Sequence, residues 1–505
     1  MLVIKAIKGW RVNWVSIYTD YVITPYFPQL RSRLAALGRR TARAVRQTTI
    51  AQLQSQLRDL LPAPLLSSED EGPNSRERVF SLRLTFECFV WQMLKPRTSC
   101  REVVRQVQAL FRLLERGLID QNDSAYVQAR QRLPQERLEK ALTATARTAD
   151  RRAGSNGCLA GRPVKVVDSS TTQLADTPAN QKAYPQPSSQ KKGCGFPVIR
   201  FIALMSLNSG AVLKVLLGSL HHHELRLFRA LWEDLQKGDI VLGDRNFGEY
   251  TSAAALLRQG VDLLARLHGA RKVDFRKAKR LGKNDGLFVW KKGYQQSEVL
   301  SASEWALLPA QLTVRIIRFS TTIRGFRGRR VTLVTTLLDP KVYPAEQLIG
   351  LYVRRWALEL CFRDIKTTMG MDYLRCKSPD MARKELLACL VAHNLVRCII
   401  AEAVACYQVN LQQVSFKGAV DALRQYSAAI AQARNRKLRR QLWDDLLLNI
   451  ARDLVPLRPG RNEPRAVKRR PKAYPLLNKP RRKFVEISHR ARYWKGRPRR
   501  YRGVN

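Results

Sequence analysis

The sequence predicts a mixed α/β protein in which a helical domain comes first and a β-rich segment interrupts the alternating part. Three observations predict it. From Val79 to Ala149 apolar residues recur every three or four positions, with Pro96 and Pro134 as breaks, which reads as about four helices. From Pro163 to His268 apolar runs of strand length alternate with helical stretches, the pattern of a layered sheet-and-helix domain. From Arg271 to Pro340 the chain is rich in β formers and basic residues and is punctuated by Gly282, Gly286, Gly293, Gly325 and Gly328.

Taken in order, residues 1–65 form a basic, apolar segment without a clear period, and Ser67–Arg76 is a polar linker or cap. Gly154–Pro163 is a loop, and PVKVVDSS is a β-branched strand ending in Asp168, followed by a polar tract to Gly195. VIRFIALMSL and AVLKVLLGSL make a hairpin around Asn208–Ser209–Gly210. His223–Gln236 is helical, DIVLGD is a short strand ending in Asp244, Ser252–Arg258 is a helix and VDLLARLH a strand. Pro344 opens a long helix to about Met369. The apolar helix Met381–Cys406 is interrupted by His393, Asn394, Arg397 and Glu402, so it reads as a core helix, not a membrane span. Residues 411–457 are again helical.

Composition narrows the partners. Lys and Arg total 90 against 41 Asp and Glu, a formal net charge of +49 that calls for a polyanion, and nucleic acid is the obvious one. The segment 458–505 carries 18 of those cations and two Glu, with Tyr474, Phe484, Tyr493, Trp494 and Tyr501 among them, and reads as a nucleic-acid-binding tail. The nine cysteines form no C-x-x-C pair and several lie in apolar runs, which points to reduced thiols and argues against a disulfide framework or a zinc site. The start has no cleavable pattern. No membrane partner is expected, and the setting expected is cytoplasmic.

Three carboxylates stand out. Asp168 and Asp244 each end an apolar strand, where a charge is costly unless a cation or donor compensates it. Two such groups in one sheet can converge at its edge, although an Asp at a strand end can also simply cap a turn. The third is Glu359. On a helix of 100° per residue, Tyr352, Arg355, Glu359, Arg363 and Lys366 fall within about 80° of arc. One carboxylate among three cations and a phenol suits a phosphate chain and a metal. The alternative is a solvated charged face with i,i+4 pairs.

The spacing Tyr352-x2-Arg355-x3-Glu359-x6-Lys366, preceded by Asp168 and by Asp244 in GDRNF, resembles the signature of bacterial DDE transposases of the insertion-sequence-four family, and the resemblance spans about residues 80–475. It implies a ribonuclease H-like catalytic domain in 154–270 and 341–410, with 271–340 as a β-rich insertion. It implies that Asp168, Asp244 and Glu359 are catalytic and hold two Mg²⁺ ions, with Mn²⁺ as a substitute. Tyr352, Arg355, Arg363 and Lys366 would contact DNA, as would Lys191, Lys192, Arg324 and Arg327. The expected activity is metal-dependent cleavage and strand transfer of an insertion sequence. The expected partners are its terminal inverted repeats, target DNA and a second protomer, in a nucleoid setting. Residues 66–153 would bind the DNA end and 411–457 would serve dimerisation. The rival readings are a catalytically inactive DNA-binding protein of the same fold and a two-metal nuclease that does not join ends.

The remaining features have plainer readings. His221–His223 with Glu224 start the following helix, with Glu224 favouring its N-terminus, more readily than they bind metal. Trp290 and Trp305 are core residues before they are base-stacking ones.

Overall fold

The computed structural model describes residues 79–113, 119–155, 157–320, 330–433 and 435–455, together with 21–24, 27–31, 480, 483, 486–487 and 500–501. The Ser67–Arg76 linker, most of 1–65 and of the 458–505 tail, and the loop that carries Arg324 and Arg327 lie outside the described residues.

The N-terminal helices are α1 (Leu82–Leu94), α2 (Cys100–Leu113), α3 (Ser124–Arg132) and α4 (Gln135–Ala153). Ser81 caps α1 by accepting from Leu84 N, and Pro134 stands at the head of α4, where a residue that donates no backbone hydrogen bond is tolerated. Then come β1 (Arg162–Leu174), α5 (Pro178–Ala183), β2 (Val198–Ser206), β3 (Val212–Ser219), α6 (Glu224–Ala230), β4 (Ile240–Gly243), α7 (Tyr250–Arg258) and β5 (Asp262–Arg266). The β-rich segment supplies β6 (Lys279–Gly282), β7 (Asp285–Lys291), the short α8 (Ala302–Ala306), β8 (Gln311–Ser320) and β9 (Arg330–Thr335). The chain continues through α9 (Ala345–Arg354), α10 (Trp356–Arg363), a π-helical turn (Asp364–Thr368), β10 (Tyr373–Leu374), α11 (Pro379–Tyr407), α12 (Phe416–Gln432) and α13 (Arg436–Arg452).

One mixed sheet organises these elements, in the order β3-β2-β1-β4-β5-β9-β8-β7-β6. The first three strands are an antiparallel meander, β4 and β5 run parallel to β1, and β9 returns antiparallel to β5. The β-rich segment therefore extends the same sheet. Strand alternation divides the core into two layers. Val164, Val166, Ile240, Leu242 and Leu264 face a cluster that includes Leu142 of α4, Leu351 of α9 and Leu390 of α11. Val167, Val241, Leu263 and Ala265 face a second cluster with Phe228 of α6 and Leu256 of α7.

The apolar helix α11 is long enough to cross a membrane but is buried in the fold, as a core helix should be. Asn394 is fully buried at its centre: its Oδ1 accepts from Val212 N (2.8 Å), and its Nδ2 donates to Val212 O (2.9 Å) and Leu142 O (3.1 Å). These bonds pin α11 to β3 and α4 and satisfy polar groups that would be costly unpaired.

Two expectations are corrected. The strand through Asp168 does not end there: it runs on to Leu174, because Ser169–Gln173 pair residue by residue with Val198–Ile202 of β2. The ladder outweighs the polar composition of Ser-Ser-Thr-Thr-Gln. The helix from Pro344 is not continuous either. It breaks at Arg355, restarts at Trp356 and widens into the π-helical turn, where Met369 N donates to Asp364 O. The single 100° projection from Tyr352 to Lys366 therefore fails: Tyr352 lies in α9, Arg355 at the break, Glu359 and Arg363 in α10 and Lys366 in the π-helical turn.

Candidate active site

The sheet brings the two aspartates together. β1 and β4 run parallel with Val164 beside Ile240 and Val166 beside Leu242, and the same register continued two residues sets Asp168 beside Asp244. The pair lies where β4 ends and the strand order reverses direction around β1, the position at which open α/β sheets form their ligand crevice. Each carboxylate is held by a backbone amide close after it in the chain: Ser169 N donates to Asp168 Oδ1 and Asn246 N to Asp244 Oδ1, both at 2.8 Å.

Arg355, at the break between α9 and α10, reaches across to this pair. Its Nη1 lies 3.3 Å from Asp168 Oδ2, and its guanidinium stands 5.7 Å from the centre of the Tyr352 ring. Asp168 is only partly shielded by it. Burial pushes the Asp168 carboxyl up to about 6, with Arg355 and the Ser169 amide opposing and the charges of Asp244 and Glu224 adding to the rise. Burial likewise raises Asp244, with the Asn246 amide opposing and Glu224 adding to the rise. Burial raises Tyr352 as well, against the neighbouring Arg355.

The other expected site residues are distributed around this pair. Glu359 lies in α10, and its side chain falls outside the described residues. Arg363 is exposed, its Nη2 3.9 Å from Asp364 Oδ1. Lys366 sits in the π-helical turn, where burial lowers its pKa and the charge of Asp372 opposes the shift. Lys191 and Lys192 are exposed in the loop before β2. Arg324 and Arg327 lie outside the described residues. Trp290 is buried with the Arg271 guanidinium 4.2 Å from its ring centre, and Trp305 is half-buried under Lys292, so both are packed in the fold.

Glu224 is the residue that sequence reasoning missed. It was expected to favour a helix N-terminus, and it does open α6, but its carboxylate is committed to two residues of the site, Ser169 and Asn246. The available signal was an acid at a strand-to-helix junction directly after the hairpin.

The donor set fits a hard divalent cation: two adjacent carboxylates, opposed by the Arg355 guanidinium and pushed towards their protonated form by burial. Among the described residues no three His, Cys, Asp or Glu side chains already converge at metal-binding distance. The raised Asp168 pKa sets a pH dependence. A carboxyl that is harder to ionise folded than unfolded stabilises the fold below the usual carboxylate range, near pH 4, and loses that contribution as pH rises through about 6. Metal-free protein should therefore melt lower at pH 7 than at pH 5 on this account. Mn²⁺ affinity should rise across the same interval, because binding must displace the proton. Calorimetric titration at pH 5, 6 and 7 checks it; an affinity that is flat over this range would show Asp168 to be ionised throughout.

Similarity to known proteins extends along most of the chain. A family model described as a transposase DDE domain matches residues 159–395. Transposase InsG for insertion sequence element IS4 of Escherichia coli (strain K12) is 26% identical over 443 residues, which is 84% of this chain and 94% of that protein. The transposase for insertion sequence element IS421 of Escherichia coli is 38% identical over 68 residues, 14% of this chain and 18% of that one. Among solved structures, the piggyBac transposase synaptic complex with hairpin DNA aligns with a TM-score of 0.38 and 10% identity over 84% of this chain and 87% of that chain, too low to bear on the argument. The chain is thus of the class of enzymes that cleave DNA and transfer its strands. It carries a transposase DDE domain over residues 159–395 and over most of its length is similar to the transposase of insertion sequence element IS4.

Proposed function

We propose that the chain performs cut-and-paste transposition from a ribonuclease H-like catalytic domain, residues 154–270 and 341–410, in which Asp168, Asp244 and Glu359 hold two Mg²⁺ ions or, in their place, Mn²⁺. The observation that carries this reading is the register of β1 with β4, which sets Asp168 beside Asp244 next to the helix that contains Glu359. The antiparallel meander followed by two parallel strands, in the order β3-β2-β1-β4-β5, supports the fold. Ions held by these carboxylates would supply Lewis acidity for activating the attacking water or 3′-hydroxyl and for stabilising the leaving oxygen.

The chain's own residues bind and orient the DNA. Arg355 balances the carboxylates and supplies a planar fork for a phosphate at the crevice. Tyr352, packed beside it, holds its orientation. Lys366, lowered by burial and three residues beyond the exposed Arg363, presents a compact charge to a second phosphate. Lys191 and Lys192 line the approach on the β1–β2 side, and Arg324 and Arg327 add further DNA contacts. Residues 66–153 bind the element end, 411–457 pair two protomers, and the protein works in the cytoplasm on the nucleoid, on its terminal inverted repeats and on target DNA.

Lys366→Ala leaves all three carboxylates in place. First-strand nicking should survive at a reduced rate, and strand transfer should fall further, because the freed 3′-end must be held while it is redirected and positioning is worth several kcal/mol of barrier. A step-resolved assay on labelled ends scores nicked and joined products. Equal, near-wild-type rates for both would return Lys366 to a solvated face, and a wild-type protein that nicks without joining would be a nuclease. Deleting 458–505 should make log K against log salt shallower by about 0.9 per lost phosphate contact. An unchanged slope in gel-shift titrations would take the tail off the DNA.

A further inference from the structure

We propose that Glu224 is a positioning residue of the active site, which sets the spacing of Asp168 and Asp244 by tying together the two residues whose amides hold them. Glu224 Oε1 accepts the Ser169 hydroxyl, and Glu224 Oε2 accepts Asn246 Nδ2 at 3.0 Å. These are the same two residues whose backbone N–H groups donate to Asp168 and Asp244 at 2.8 Å. The result is a continuous chain of contacts from one carboxylate through two side chains and two amides to the two aspartates.

The placement makes direct coordination by Glu224 the weaker reading. Along β1, side chains alternate. Val166 faces the cluster beneath α9 and α11, and Asp168 shares that face and meets Arg355 there. Val167 faces the opposite cluster with Phe228 of α6, and Ser169 shares that face and meets Glu224 there. Glu224 therefore acts from beneath the strand. A helix-start role does not require either contact, since an acid in a first turn gains its dipole stabilisation in water. Both oxygens are instead spent on partners 55 residues back and 22 residues on in the chain, one on each side of the acidic pair.

A third carboxylate beside two others adds repulsion, which a structural clip alone would avoid by using an amide. The charge is useful where a cation is to be drawn in, and outer partners that orient metal ligands are typically worth about 10–100-fold in metal affinity. The proposal rests on the two-metal reading of Asp168 and Asp244.

The test is calorimetric titration of Mn²⁺ into the full-length, DNA-free protein. Glu224→Ala should weaken binding by about 10–100-fold. Ser169→Ala with Asn246→Ala should produce a similar loss, and adding Glu224→Ala to that pair should cost little more, because the three act as one unit. The proposal is overturned if Glu224→Ala binds Mn²⁺ like the wild type, or if its loss adds in full to that of the pair. Should Glu224→Ala fail to fold, the Ser169→Ala, Asn246→Ala protein decides alone: wild-type affinity there also overturns it. Asp168→Asn serves as the control. If it loses Mn²⁺ while Glu224→Ala does not, only the role of Glu224 falls; if Asp168→Asn binds normally, the two-metal reading falls with it.

Discussion

Asp168→Asn and Asp244→Asn should each reduce DNA cleavage by about 10³-fold or more, a barrier increase of roughly 4 kcal/mol, while DNA binding is kept or tightened. Asparagine preserves the shape of the side chain. At Asp168 it can still accept from the Ser169 amide and at Asp244 from the Asn246 amide, so the strand ends should hold their conformation. What is lost is one negative charge from a crevice whose opposing cation is Arg355. Removing that charge leaves a more positive surface for a polyanion, which is why binding should not suffer. Glu359→Gln should behave alike on the proposed assignment. The measurement is Mg²⁺-dependent cleavage of DNA carrying the element ends, with gel-shift affinity measured in parallel. A variant that cleaves at the wild-type rate removes its residue from the site. Loss of both cleavage and binding would mean that the substitution had damaged the fold instead.

Arg315→Met should be the most damaging single change to stability, at about 3–5 kcal/mol. Arg315 on β8 is almost fully buried. Its Nε donates to Asp285 Oδ1 at 2.8 Å, its Nη2 pairs with Asp285 Oδ2, and its Nη1 donates to Tyr343 O at 2.6 Å. It thus joins β7 and β8 of the insertion to the residue just before Pro344, where the chain turns into α9 and towards Arg355. Methionine fills most of the volume but leaves Asp285 as a buried charge without its fork. The pair Arg315→Met with Asp285→Leu should recover most of the loss, because replacing a whole buried ion pair by apolar groups is often neutral. Hydrogen exchange of the β7 and β8 amides reads the effect, with opening about 10²-fold or more faster in the single variant. If the double variant is as unstable as the single, the pair was not the source of the stability.

Much of this molecule is legible in the sequence because its signals are local. The strand Val164–Val167, the hairpin about Asn208–Ser209–Gly210, the short strand before Asp244 and the apolar helix of Pro379–Tyr407 are each continuous in the chain, and their own residue pattern reports their burial. The same holds for the order of helical segment, alternating segment and β-rich segment, and for the two acids beside strands. The spacing from Tyr352 to Lys366 carries the family resemblance, since it needs no knowledge of how the helix bends.

Tertiary structure decided the rest. Asp168 lies within a strand because β2 on one side and β10 near the end of β1 supply hydrogen-bond partners to a polar stretch that has no apolar pattern of its own. The insertion joins the main sheet because β9 finds β5, pairing Leu333 with Arg266 and Thr335 with Leu264 across a separation that no periodicity records. Arg355 meets Asp168 across 187 residues at a break in a stretch that reads as one helix. Glu224 looks like an ordinary first-turn acid until Ser169 and Asn246 are brought to its two oxygens. The sequence by itself determined which elements form and which residue types stand at their ends, because burial and backbone preference act within a few residues. Which carboxylates share a crevice depended on strand register and helix breaks, because charge and hydrogen bonding act through space between residues far apart in the chain.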